Sequence, residues 1–279
     1  MSEANPGGPS PAAQAMDRLL DIMARLRAPD GCVWDREQTP ATLKPQMIEE
    51  CYEVIEAIDG GLAGHLTEEL GDLLLHIVFQ AQIAREAGEF AFADVANGIA
   101  DKLIRRHPHV FGDAKVADAA GVVAQWHQLK KTEKPERESA LDGVPRALPA
   151  LMRAEALQKK ARHVGFDWPD VRGALDKVRE EVAEVAKEIE SDLAVAHTSK
   201  AKVAATPETT EELGDLLFSI VNLTRHLKLD AEELLTGANE KFTRRFRAVE
   251  TRIKSQGKAM GDCTLEELDT AWNAVKAEG

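Results

Sequence analysis

Glu68-Glu69-Leu70-Gly71-Asp72-Leu73-Leu74 occurs a second time, letter for letter, as Glu211-Glu212-Leu213-Gly214-Asp215-Leu216-Leu217. Each copy follows a further acid cluster, Glu49-Glu50-x-x-Glu53 before the first and Glu180-Glu181-x-x-Glu184 before the second. Residues three apart share a helix face, so Glu50 with Glu53, and Glu69 with Asp72, form pairs of carboxylates pointing the same way. The apolar residues between them set the orientation. Ile48, Tyr52, Ile55 and Ile58 make one stripe and Leu70, Leu73, Leu74, Ile77, Val78 and Ala81 another, which predicts that the acids flank a buried seam.

If the two acid helices of a repeat pack together, four carboxylates meet. At about 5 Å and an effective dielectric near 20, each like-charged pair costs roughly 3 kcal/mol, so protons or a cation must neutralise the group. An all-oxygen ligand set without Cys or His favours Mg²⁺, with Mn²⁺ as a substitute, over Zn²⁺.

The acid strings are followed in the same order by further matching residues. Lys102-x-x-Arg105-Arg106 corresponds to Lys241-x-x-Arg244-Arg245, and Trp126-x-x-x-Lys130 to Trp272-x-x-x-Lys276. A single Glu-Glu-x-x-Glu is ordinary solvated helix surface, basic triplets pair with nearby acids, and a lone Trp packs in a core. Duplication of the whole ordered set argues against coincidence, although it supports common descent more directly than chemistry. His107-Pro108-His109 reads as a loop rather than a metal pair.

The 279 residues exceed one average domain, and the repeat divides them into two. Expected are a disordered tail over 1–14, an N-terminal helical domain over 15–131, a charged linker over 132–147 and a C-terminal helical domain over 148–279. Residues 191–209, rich in Ala, Ser, Thr and Lys without clear periodicity, read as a flexible insertion. No alternating β pattern is found and Ala, Leu, Glu and Lys dominate, so the fold class is all-α, as two tandem helical bundles. Thr264 with Glu267 forms a capping box for the last helix.

A net charge of -13 disfavours a nucleic-acid polymer or an anionic membrane as partner, while a small phosphate ester carried by a metal remains compatible. The longest apolar run, near Leu73 to Phe79, is too short to span a bilayer. Cys32, Cys51 and Cys263 are odd in number and lack metal or redox spacing, which fits reduced thiols of a cytoplasmic protein.

With these residues in view, the chain resembles the MazG-type all-α nucleoside triphosphate pyrophosphohydrolases. The Glu-Glu-x-x-Glu and Glu-x-x-Asp signature carries the resemblance, together with Gly31 to Asp35 and Arg105-Arg106-His107-Pro108-His109-Val110-Phe111. It implies Mg²⁺-dependent hydrolysis of NTPs or dNTPs to monophosphate and pyrophosphate, broad base tolerance suited to clearing non-canonical nucleotides, and a homodimer. It further implies metal ligation by Glu181, Glu184, Glu212 and Asp215, the last three residues of this set and Glu181 counting with Glu180 and Glu211 as the catalytic acids. Lys177, Glu181, Lys241, Arg244, Arg245, Trp272 and Lys276 would contact the nucleotide. The first half keeps Glu50, Glu53, Glu69, Asp72, Lys102, Arg106 and Trp126 as a second site, but Gln46 stands where Lys177 stands in the second half. Glu180 or Glu211 would act as general base. The alternative from another class is a sensor or scaffold that binds a nucleotide or alarmone without hydrolysing it; a di-iron bundle would need Glu-x-x-His pairs, which are not found.

Overall fold

The computed structural model describes residues 8–115, 118, 121, 122, 125, 138–199 and 204–278. All regular structure among them is helical. The chain divides into two compact units, Met1–Pro135 and Glu136–Gly279.

The N-terminal unit contains α1 (Pro11–Leu26), α2 (Val33–Glu37), α3 (Lys44–Gly60), α4 (Ala63–Glu86), α5 (Phe92–Arg106) and the single turn α6 (Pro108–Phe111). The two acid strings of the first repeat lie on α3 and α4, which pack on each other as a hairpin. The hairpin can turn so tightly because Gly61 ends α3 in the left-handed region at φ 68°, where a side chain would be strained. Met23, Leu43, Val78 and Phe79 form the core, with Met16, Leu19, Leu20, Leu74, Ile83 and Phe92 packed around it. Arg27 closes one edge by a bidentate pair with Glu86, its guanidinium 5.5 Å from the Phe79 ring centre.

The C-terminal unit contains α7 (Ala150–Arg162), α8 (Val171–Ser199), α9 (Pro207–His226), α10 (Ala231–Ser255), a 3₁₀ turn (Met260–Asp262) and α11 (Leu265–Glu278). Here α8 and α9 carry the acids and form the corresponding hairpin, with α7 packed on α9 and α10, and α11 on α10. Val249, Ile253 and Ala271 are buried between the last two helices with Met260, Leu268, Trp272 and Val275. The capping box is formed: Thr264 N–H donates to Glu267 Oε2 at 2.9 Å, and Glu267 N–H to Thr264 Oγ1 at 3.3 Å.

Several boundaries differ from the sequence reading. Residues 11–14 of the expected tail are helical instead, because Ser10 caps α1 from Pro11 onward by accepting from Ala13 N–H. Residues 191–199 and 207–209 of the expected insertion are helical: α8 continues to Ser199, and α9 begins at Pro207. Asp192, only 5 % exposed, holds the two together by accepting from Thr209 Oγ1 at 2.7 Å and from Thr206 N–H at 3.3 Å. The C-terminal part of the linker over 132–147 is an ordered turn, in which Asp142 Oδ2 accepts from Glu138 N–H and Ser139 N–H. Residues 119–131, the end of the expected N-terminal domain, fall largely outside the described residues. The expected loop at His107-Pro108-His109 is instead the one-turn α6.

The buried seam also needs correction. Ile48, Tyr52, Ile55 and Ile58 are each more than half exposed, as are Val182 and Leu217 in the second hairpin. Each hairpin has two apolar faces, and its own unit covers one of them.

Candidate metal and nucleotide site

The two hairpins place their acids in the same way. In the C-terminal unit Glu181 and Glu184, one turn apart on α8, meet Glu212 of α9 with ligand oxygens all within 4.8 Å of one another. Asp215 lies outside that triple but on the same face of α9 as Glu212, and its charge acts on Glu212. Glu181 is 3 % exposed; Lys177 Nζ approaches its Oε1 at 2.7 Å, while its Oε2 is buried with no hydrogen-bond partner. Burial first, then the charges of Glu184, Glu181, Asp215 and Glu211, raise the Glu212 carboxyl above its ordinary range.

A buried carboxylate with one oxygen lacking a donor, meeting two further carboxylates, could hold a cation by its chemistry. The donor set is all oxygen, so the residues present fit a hard divalent ion. Glu180 stands outside the cluster, more than half exposed, and is tied to Lys177 Nζ at 2.9 Å. Hydrogen bonds from Lys177 to Glu180 and then Glu181 hold the ammonium charged by raising its pKa. Glu211 is exposed beside Glu212.

The remaining candidates lie on α10 and α11. Lys241 and Arg245, one turn apart, are neighbours on α10, whereas Arg244 is turned toward Thr236, Glu240, Thr243 and Arg247, with which it lines a surface depression. Trp272 belongs to the core layer, its ring 5.4 Å from that of Phe242, the residue after Lys241. Lys276, one turn further along α11, is exposed.

In the N-terminal unit Glu50, Glu69 and Asp72 converge within 4.8 Å. Glu53 hydrogen-bonds Glu50, whose carboxyl is raised by burial first, then by Glu53, Asp72 and Glu69. Where the second site has Lys177, this one has histidines: His65 Nε2 is 2.9 Å from Glu69, and the buried His76 presents Nε2 to Glu50 at 3.8 Å. Burial lowers the His76 pKa, keeping the ring neutral. Lys102 is half-buried on α5 and Arg106 buried. Trp126 and Lys130 lie outside the described residues.

The sequence reading missed a polar group further along α9 in the C-terminal unit. Asp167 accepts from Arg225 Nη2 at 2.5 Å and stands 3.1 Å from His226 Nε2. Arg225 Nη2 also donates to Asn222 Oδ1 at 2.8 Å, and Gln158 Nε2 donates to the Phe218 carbonyl at 2.9 Å. These residues border a cavity of about 480 Å³, walled by Leu141, Phe166, Trp168 and Phe218. An arginine set among apolar residues of α9, as in Val221-Asn222-Leu223-Thr224-Arg225, was the available signal.

Comparison with known proteins finds the MazG nucleotide pyrophosphohydrolase domain twice, over residues 38–111 and 172–249. The nucleoside triphosphate pyrophosphohydrolase of Escherichia coli (strain K12) is 48 % identical over 266 residues, covering 94 % of this chain and 97 % of that protein. The nucleoside triphosphate pyrophosphohydrolase/pyrophosphatase MazG of Thermotoga maritima is 44 % identical over 262 residues, covering 93 % of this chain and 95 % of its own. Both matched segments contain both acid strings of their repeat.

Proposed function

The chain belongs to the MazG nucleotide pyrophosphohydrolase family, and on that premise we propose that it hydrolyses nucleoside triphosphates to monophosphate and pyrophosphate at the C-terminal acid cluster. The observation that carries the assignment to this cluster is the buried carboxylate of Glu181, which meets those of Glu184 and Glu212 while its Oε2 has no partner, with Lys177 alongside.

Glu181, Glu184, Glu212 and Asp215 would hold Mg²⁺, with Mn²⁺ able to replace it. When bound, the ion neutralises the triphosphate and lowers the pKa of a coordinated water. Lys177, Lys241 and Arg245 bind phosphate oxygens and stabilise the charge that develops on the leaving pyrophosphate. Water adds to the α-phosphorus, the bond to the bridging oxygen breaks, and the water's proton passes to a carboxylate. Glu180 and Glu211, both exposed beside the cluster, are the two candidate bases. Clearance of non-canonical nucleotides in the cytoplasm is the role this chemistry suits. No described helix is long and apolar enough to cross a membrane.

The exposed stripes Ile48, Tyr52, Ile55 and Ile58 on α3, and Leu213, Leu217 and Ile220 on α9, support a homodimer in which a second copy covers them. Light scattering of the purified chain tests this.

The hydrolase reading is tested by chromatography of ATP, dGTP and dUTP after incubation with Mg²⁺. Monophosphate and pyrophosphate are the expected products, lost in Glu184→Ala. Recovery of intact triphosphates would replace the enzyme with a nucleotide sensor, and undiminished release by Glu184→Ala would move the reaction elsewhere.

A further inference from the structure

A buried imidazole stands against the acid cluster of the N-terminal unit without a hydrogen bond. His76 is 6 % exposed on α4; its Nδ1 is buried with no partner, and its Nε2 stops 3.8 Å from Glu50 Oε1, beyond bonding distance. A native fold seldom buries a ring with neither nitrogen bonded unless something else engages one of them. The second repeat has the buried Ser219 in the corresponding place, seven residues after Glu212 as His76 is seven after Glu69.

The helix supplies the alignment. Glu69, Asp72 and His76 are spaced three and four residues apart on α4 and form one row along it, which Glu50 meets from α3. Carboxylate oxygens of Glu50, Glu69 and Asp72 lie within 4.8 Å of one another. Two atoms that each sit about 2.1 Å from one ion are roughly 3.0 to 4.2 Å apart, depending on the angle between them. The 3.8 Å between His76 Nε2 and Glu50 Oε1 falls inside that range. Beside the row, His65 Nε2 is 2.9 Å from Glu69 Oε1 and steadies that carboxylate, as outer partners of metal ligands do.

The donor set separates this cluster from the second. In the C-terminal unit the carboxylates come with Lys177 and offer oxygen alone. In the N-terminal unit Gln46 replaces the lysine, and a nitrogen joins the oxygens. Oxygen alone suits Mg²⁺, whereas an imidazole adds affinity for first-row metals such as Zn²⁺, which bind nitrogen far better than Mg²⁺ does. Glu69 is 9 % exposed and Glu50 half-buried, with Asp72 open to solvent.

We propose that Glu50, Glu69, Asp72 and His76 form a site for a divalent first-row metal ion that accepts nitrogen, represented by Zn²⁺, which fastens α3 to α4. The all-oxygen set expected for both repeats is thereby replaced in the first by three oxygens and a nitrogen. The inference stands apart from the hydrolase reading, because an ion that joins two helices needs no substrate.

The test loads the full chain with Zn²⁺, dialyses it against excess Mg²⁺ and measures the zinc retained. Wild type is expected to keep zinc, and Glu212→Gln, altered in the other cluster, to keep it as well. His76→Ser, which installs the residue of the second repeat, and Asp72→Asn, at an exposed position, lose it; circular dichroism confirms that both are folded. Each should weaken binding about 100-fold or more, since even the outer partners of metal ligands are worth roughly 10- to 100-fold. No zinc in the wild type, equal retention by His76→Ser, or loss in Glu212→Gln alone overturns the proposal. Two further readouts need no turnover. Pulsed electron paramagnetic resonance of the Mn²⁺-loaded chain shows coupling to an imidazole nitrogen that His76→Ser lacks, and coupling to oxygen ligands alone rejects the site. With Mg²⁺ already present, Zn²⁺ raises the melting temperature of the wild type and not of His76→Ser; an equal rise in both rejects it too. Absence of pyrophosphate release would remove the hydrolase reading and leave all three readouts unchanged.

Discussion

Lys177 Nζ lies 2.7 Å from Glu181 Oε1, and the residue in the same place before Glu50 is Gln46. The pair gives the buried Glu181 one counter-charge of its own, so that a cation arriving at the cluster meets fewer uncompensated negative charges. Once a triphosphate binds, the same ammonium can turn to a phosphate oxygen within one side chain's reach. The first repeat has no equivalent lysine, and burial lowers the pKa of its His76.

Replacing Lys177 by Gln, the residue of the first repeat, is therefore expected to lower kcat/KM for pyrophosphate release about 10- to 100-fold, the worth of one charge-assisted hydrogen bond. Most of the loss should fall on kcat if the lysine acts on the leaving group, and on KM if it acts on the bound triphosphate. Steady-state kinetics on the purified variant separates these, and an unchanged kcat/KM would remove Lys177 from the site.

Asp192 links α8 to the start of α9, where Glu211, Glu212 and Asp215 lie. Its carboxyl is held below the ordinary range, by the Thr209 hydroxyl first and then, against the opposing effect of burial, by Thr206. Asp192→Ala should loosen the first turn of α9, visible as faster hydrogen exchange at Thr209 and Thr210 and as a lower melting temperature. Pyrophosphate release should fall with it, because Glu212 lies on the very next turn.

The helices were legible because their apolar residues repeat near 3.6, and α11 starts at Leu265, directly after the Thr264 cap expected for it. Periodicity could not say which apolar face a unit covers, so Ile48 and Tyr52 were placed in a seam that the structure leaves open. Nor could it detect the continuation of α8 past Glu190, which depends on one buried aspartate gripping a threonine 17 residues away. The acids were found because ligation demands short, regular spacing on a helix. The cavity residues escaped because Gln158, Asp167 and Asn222 come from separate segments and share no pattern until the chain folds.

Crowding of carboxylates at the second cluster makes a prediction about the metal-free protein. Glu212 is raised in the folded state, so its ionisation opposes folding: the cost is absent below the ordinary carboxylate pKa, grows as pH rises from there to the raised value, and persists above it. Glu212→Gln should accordingly raise the melting temperature at pH 7 in EDTA while abolishing most pyrophosphate release. Added Mg²⁺ should stabilise the wild type more than the variant. A variant less stable than wild type in EDTA would mean that Glu212 is not under the repulsion described.

Asp167 carries the opposite sign. Burial alone would raise its carboxyl, but the hydrogen bond and charge of Arg225, followed by those of His226, outweigh burial and leave the group below its usual value. Stability from this group is complete above the ordinary carboxylate pKa near 4 and is lost as pH falls through the lower folded value, so it shapes the acid limb of unfolding. Asp167→Asn keeps an acceptor near Arg225 but removes the charge from a guanidinium whose side chain is 5 % exposed. The expected cost at pH 7 is about 2 kcal/mol, below the roughly 3–5 kcal/mol of a fully buried broken pair because Asp167 is still 12 % open to solvent. Denaturant unfolding at pH 7 and pH 3 measures it: the difference between wild type and variant should shrink at the lower pH.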